Sequence, residues 1–147
     1  MLATPADAFF YVMVVVEHEG KFLLVQENDQ SWFLPAGAVR PPEEIGSAVV
    51  REAWEEGGLL VRPVSLIKVE YRWYPGERGI TAWWRYSIRA RPKGALEPKA
   101  LPDEHSLRAQ WFTLAEAEAL KLRSFEVVDL LREVGRGAPE LPLPIAV

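Results

Sequence analysis

The sequence has no cysteine in 147 residues, which excludes a disulfide framework, thiol nucleophiles and thiolate metal sites. It also has no apolar run near the ~18 residues of a membrane span. Its first ten residues, MLATPADAFF, lack the basic and apolar regions of a secretory signal. No membrane partner is expected, and a cytoplasmic location follows by default. There is no excess of positive charge. Lys and Arg total 17 against 21 Asp and Glu, a net charge of −4, and no long basic run is present. That balance argues against a nucleic-acid backbone binder, so a phosphate-bearing ligand would have to be drawn by local arginines and metal. Amide residues are scarce, with one Asn and three Gln against twelve Pro and twelve Arg, a compositional hint of a thermophilic source. No internal repeat or low-complexity block interrupts the chain.

What is present suits one small domain. A hydrophobic content of 49% over this length can build a single core. Phe9 to Val16 is an almost continuous apolar run, which predicts a strand buried on both faces. His18-Glu19-Gly20 reads as a turn into a second strand, Lys21 to Gln26. Ser31 to Leu34 is a short strand, and Leu34-Pro35-Ala36-Gly37 reads as a tight loop. Leu59 to Tyr74 and Ile80 to Ala90 form two strands around Pro75-Gly76-Glu77-Arg78-Gly79. In the first of them Ile67, Val69, Tyr71 and Trp73 are expected inward. Leu107 to Phe112 is a further strand. Thr113 to Glu116 matches a capping box, and Ser124 is expected to cap a last helix with Val127, Val128, Leu131 and Val134 inward and Gly135 ending it. The order predicts an α+β fold with a mixed sheet between helices. Residues 1–135 form the domain and 136–147 a Pro-rich tail, extended or lying as an arm on a partner subunit.

The most informative stretch runs from Gly37 to Leu59, GAVRPPEEIGSAVVREAWEEGGL. Glu43 to Glu56 has no proline and reads as one helix. At about 100° per residue, Glu52, Glu55 and Glu56 share a face. Like charges at i, i+4 repel, and the C-terminal end of a helix dipole disfavours anions. A bound divalent cation would reverse the sign of both penalties. Arg51 stands i, i+4 to Glu55 and could hold a carboxylate through its planar fork. Gly57 and Gly58 follow, where helices commonly end with positive φ.

These residues resemble the signature of the Nudix hydrolase superfamily, G-x5-E-x7-R-E-U-x-E-E-x-G-U with U apolar. Every position matches, with Ala53 and Leu59 as the U residues. Seven specified identities coincide by chance with a probability on the order of 10⁻⁸ at a given start. The resemblance covers roughly Ala8 to Val134. It implies an α/β/α sandwich and Mg²⁺-dependent hydrolysis of a diphosphate bond by water, with Mn²⁺ as a substitute metal. It implies Glu52, Glu55 and Glu56 as metal ligands, the Gly37 carbonyl as another, and Arg51 as their orienting partner. Glu55 or Glu56 serves as general base, a choice the sequence leaves open, and Glu43 braces the loop–helix junction. A further carboxylate from outside the signature is expected at Asp103 or Glu104, with Glu104 preferred. A homodimer is a further expectation.

Specificity is expected from outside the signature. Trp83 shares a strand face with Arg85, Ser87 and Arg89, and a Trp beside arginines suits a base or phosphate pocket. Trp32 and Phe33 could also line it. The Ser31-to-Gly37 run and Leu122-Arg123-Ser124 resemble the NudJ-like and 8-oxo-dGDP phosphatase branches, which imply a nucleoside di- or triphosphate or a similar small diphosphate as substrate. The alternative is an ADP-ribose pyrophosphatase, to which the spacing of Pro75 is similar, although Pro75-Gly76 is also a good turn dipeptide. A non-catalytic nucleotide-binding domain is the alternative of another class. Such domains commonly lose signature glutamates, and here all are present.

Overall fold

The computed structural model describes residues 5–143. Among these residues, eight strands and three helices follow one another. They are β1 (Pro5–His18), β2 (Lys21–Gln26), β3 (Trp32–Phe33), β4 (Ala36–Ala38), α1 (Ile45–Gly57), β5 (Val61–Gly76), β6 (Gly79–Pro92), β7 (Arg108–Phe112), α2 (Leu114–Glu118), α3 (Glu126–Gly135) and β8 (Leu141–Pro142). The strand order is β3-β2-β1-β6-β5-β8, with β4 on β1 and β7 on β2. β1 and β6 run parallel from Phe9↔Trp83 to Val16↔Ala90, and the other pairs are antiparallel. Among the described residues no helix is long and apolar enough to cross a membrane.

β1 decides the layering. On the edge opposite β6 its middle pairs with β4 and its end with β2. Its side chains alternate between two cores. Val12, Val14 and Val16 face α1 together with Ile88 and Ala90, packing on Val49 and Ala53. Met13 and Val15 face the other way, onto Val127, Leu131 and Val134 of α3 and Ala117 of α2. The result is the expected mixed sheet between helices.

Several boundaries differ from the sequence reading. α1 starts at Ile45 because Glu43 is used elsewhere: its Oε1 accepts from the Arg40 N–H. The expected tight loop at Leu34–Gly37 is instead strand backbone from Ala36, paired Met13↔Ala36 and Val12↔Gly37. Val69, Tyr71 and Trp73, expected inward, are 48%, 51% and 58% exposed. A register shift between Leu66 and Lys68 breaks the alternation of β5, so Ile67 alone packs on a core. α3 begins two residues beyond Ser124, whose Oγ accepts the Glu126 N–H at 3.2 Å. Gly135 is its last residue and Gly137 takes the positive φ. The tail does not leave the domain as an arm over its described part. Leu141–Pro142 extend the sheet at β5, and Glu140 pairs with Arg89 at 2.9 Å. Residues 144–147 of that tail lie outside the described residues.

The C-terminus of α1 is closed by Gly58 at φ +72, whose N–H donates to the Trp54 carbonyl at 3.0 Å, while the Leu59 N–H reaches the Ala53 carbonyl. This is the left-handed stop that glycine takes without steric cost. A Cβ on Gly58 would also meet the Lys99 backbone N at 2.8 Å, whereas a Cβ on Gly46 would meet open space. Gly46→Ala should therefore stabilise the protein by about 0.5–1 kcal/mol. Gly58→Ala should destabilise it by about 1–3 kcal/mol. Urea denaturation of the two variants checks the opposite signs.

Candidate active site

The last two turns of α1 lie against β4, and the close approach is made possible by Gly37. A Cβ there would overlap the Glu52 carboxylate. The absence of a side chain, rather than a special φ, is what the position requires. Glu52 is consequently buried at 6% exposure, an unusual state for a carboxylate. Burial raises its pKa, and the charge of Glu55 raises it further, against the opposing pull of Arg51. Glu56 is anchored one residue along β4, its Oε1 accepting the Ala36 N–H at 2.7 Å. Burial, with the charges of Glu52 and Glu27 added, pushes its carboxyl up to about 7.

Arg51 ties the acids together. Its Nε and Nη2 donate to both oxygens of Glu43 at 2.9 and 2.8 Å. Its Nη1 donates to Glu52 at 2.6 Å and to Glu55 at 3.3 Å. Nη2 also reaches the Ala38 carbonyl at 2.8 Å. The bidentate fork on Glu43 is a strong, orientation-fixing contact, and it holds the Glu43 carboxyl down to about 2. Glu43 thus braces the junction between β4 and α1.

The far end of α1 is closed by a segment distant in sequence. Lys99 Nζ, a largely buried ammonium, donates to the Glu55 carbonyl, to Asp103 at 2.8 Å and to Ser106 Oγ at 2.9 Å. Ser106 Oγ donates in turn to the Glu56 carbonyl at 2.8 Å, and the Lys99 N–H to the Gly57 carbonyl at 2.9 Å. Three carbonyls that α1 leaves without helical partners are satisfied this way. A cation at a helix C-terminus is also favoured by the dipole.

The expected outer residues fall in different places. Asp103 is held by Lys99 and accepts the His105 and Ser106 N–H groups, which makes it a turn-forming residue. That turn puts His105 beside Glu55, with Nδ1 3.9 Å from Oε2. Glu104 points away, its side chain 84% exposed and 3.4 Å from His105 Nε2. Trp32 is 5% exposed and packs edge-on against Phe112 in the core, so it does not offer a pocket face. Trp83 and Arg85 lie on the α3 side of the sheet, the face opposite α1. Arg85 is locked between Glu70 at 2.9 Å and Glu126 at 3.1 Å, with Trp83 5.7 Å away. Sequence reasoning missed Lys99, Ser106 and Glu27. Glu27, at the end of β2, adds negative charge near Glu56 and is paired with Arg123 at 3.0 Å. Nothing in the local sequence distinguishes Glu27 from a solvated acid. Lys99 and Ser106 carry no periodic or motif signal.

Among the described residues no three acidic or histidine side chains converge on one point in ligand geometry. Arg51 draws Glu52 and Glu55 to itself, and the Ala36 N–H draws Glu56. The donor set nevertheless fits a hard divalent cation. It is all oxygen, and burial and mutual repulsion raise the pKa of its two buried acids, Glu52 and Glu56, against the pull of the Arg51 guanidinium on Glu52.

The comparisons with known proteins agree with this geometry. The NUDIX domain family profile matches residues 8–131. The chain belongs to the Nudix family. It is 34% identical over 128 residues to the mouse protein named 8-oxo-dGDP phosphatase NUDT18, covering 84% of this chain but 37% of that one. The chain thus spans about a third of the length of that relative. It is 38% identical over 125 residues to the Escherichia coli protein named Phosphatase NudJ, covering 82% of this chain and 79% of the other. The solved structure of a Nudix hydrolase from Nitrosomonas europaea superposes with a TM-score of 0.76 at 26% identity, covering 96% and 97% of the two chains. The fold and the family expected from the signature are both shown.

The raised pKa of Glu56 makes a stability prediction for the Nudix domain without metal. A carboxyl whose folded pKa exceeds its unfolded one binds its proton more tightly when folded. Stability is therefore lost as pH rises from about 4.5 to about 7, and the loss is complete above that. The shift corresponds to a cost on the order of 3 kcal/mol. Glu56→Gln keeps an acceptor for the Ala36 N–H and removes the charge. In chelator, thermal melts should show this variant gaining more over wild type at pH 8 than at pH 5.

Proposed function

We propose that the protein hydrolyses the diphosphate bond of a nucleoside diphosphate-type substrate, with Mg²⁺ as its metal. The observation that supports this best is the burial of Glu52 and Glu56 against β4 in a cluster whose excess negative charge a divalent cation would neutralise. Glu52, Glu56 and the Gly37 carbonyl are the groups that would hold Mg²⁺, while Glu55, also expected as a ligand, is given the proton-transfer role instead. When bound, the ion supplies charge neutralisation and polarisation of the bridging phosphorus–oxygen bond.

The remaining roles fall to the protein's own atoms. Glu52 and Glu56 are fixed by Arg51 and by the Ala36 N–H, and so are suited to hold position. Glu55 is the more open carboxylate. It has a long 3.3 Å contact to Arg51 and His105 at its margin. We assign it the proton from the attacking water. Arg51 gathers Glu52 and Glu55 on one nitrogen and Glu43 on the other two, and so fixes where these carboxylates stand. Glu104 has no role here in the arrangement described. It would act only if the loop turned it toward Glu55.

The names of the mouse and Escherichia coli relatives, an 8-oxo-dGDP phosphatase and a phosphatase, support a nucleoside diphosphate over ADP-ribose. A substrate panel tests the choice. Cleavage of ADP-ribose at least tenfold faster than any nucleoside di- or triphosphate would overturn it. The site roles are tested separately. Glu55→Gln should lower kcat by about 10²–10⁴ with Mg²⁺ affinity changed less than about threefold. Glu52→Gln and Glu56→Gln should weaken Mg²⁺ binding itself, measured by calorimetry without substrate. A Glu55→Gln variant that loses metal and activity together would sink the division of labour.

A further inference from the structure

The outer edge of β5 is open along most of its length. Among the described residues, β8 pairs with that edge only at Ser65 and Leu66. Residues 68–74 therefore present about 24 Å of strand backbone with no partner on the outer side. A long edge with apolar side chains beside it invites pairing with another chain. Val69, Tyr71 and Trp73 are all about half exposed. They stand opposite Tyr86, Trp84 and Ala82 of β6, on the α1 face. Tyr71 ends an aromatic row at this edge, 4.7 Å from Trp84, which stacks on Phe10 at 5.1 Å.

The pattern along the edge is complementary to itself. Lys68, Glu70 and Arg72 alternate with the apolar residues and lie on the α3 face. A two-fold axis perpendicular to the sheet leaves each face on its own side, so two β5 edges running antiparallel match residues of like face. An axis at Glu70 would set Glu70 against its own copy and Lys68 against Arg72. An axis at Arg72 would set Arg72 against its own copy. One at Val69 would set Arg72 opposite Leu66, which β8 already pairs. One at Trp73 would set Tyr71 opposite Pro75, which has no N–H to give. An axis at Tyr71 sets Glu70 opposite Arg72 twice and Val69 opposite Trp73 twice. Opposite charges and aromatic–β-branched pairs are the combinations that stabilise neighbouring strands. Arg72 lies over Trp83 at 5.8 Å and has no ion-pair partner among the described residues. The Glu70 carboxylate, forked by Arg85, keeps lone pairs for a second guanidinium.

We propose that two copies of this chain associate edge to edge through residues 68–74 of β5, with the two-fold axis at Tyr71. The exposed parts of Val69, Tyr71, Trp73 and Tyr74 amount to on the order of 400 Å² per chain. That is about half the ~800 Å² per partner of a standard interface, so the association is concentration-dependent rather than permanent. It needs neither metal nor substrate and is independent of the hydrolase reading.

Sedimentation velocity from micromolar to near-millimolar protein should show monomer giving way to dimer. Arg72→Glu should weaken the dimer at least tenfold, with the melting temperature unchanged. Single cysteines, in a chain that otherwise has none, read the register when treated with a short bis-maleimide linker. Tyr71→Cys should link to its own copy. Val69→Cys and Trp73→Cys should link to each other when mixed but not to themselves, because each would stand about 14 Å from its own copy. A protein that stays monomeric throughout, a dimer indifferent to Arg72→Glu, or self-linking of Val69→Cys as efficient as that of Tyr71→Cys would overturn the proposal.

Discussion

Arg51 is the contact on which the rest of the site depends. One guanidinium joins Glu43 before the helix, Glu52 and Glu55 within it, and the Ala38 carbonyl on the strand. Without a cation in their midst, the acids on the last turns of α1 would repel one another at the wrong end of a helix dipole. The planar fork does what an ammonium could not, since it meets several oxygens at once in fixed directions. It also fixes the orientation of α1 on β4, because its partners belong to both elements.

The two faces of the sheet treat charge in different ways. On the α1 side the negative charge is in excess and partly buried, so the folded protein bears a cost that a divalent cation would lift. On the α3 side the same density of ionisable groups is balanced within one cavity. β1 separates the two environments by the alternation of Val12 and Met13.

Much of this was legible in the sequence where one residue type had one job. The spacing of Glu52, Glu55 and Glu56, the glycine stop, the capping box at Thr113 and the inner face of α3 all follow local rules, and the structure has them. The reading of β5 failed because a register shift near Ile67 cannot be seen in a two-residue period. Trp32 was read as a pocket residue, but an aromatic beside a functional loop is equally at home in a core, and Phe112 provides the partner. The pairing of Arg85 with Glu126 joins β6 to a helix some forty residues later. No window of sequence contains such a contact. The same is true of Lys99 and Ser106, whose role exists only once the chain has returned to the end of α1.

That return has a dynamic consequence. The carbonyls of Glu55, Glu56 and Gly57 are closed by residues from a loop more than forty positions away, so the final turn of α1 and that loop cannot fray independently. Opening either one exposes the other's polar groups. The two should exchange their amide hydrogens as a single cooperative unit, and the geometry of the acidic face is then only as persistent as a surface loop that never touches it directly except through His105.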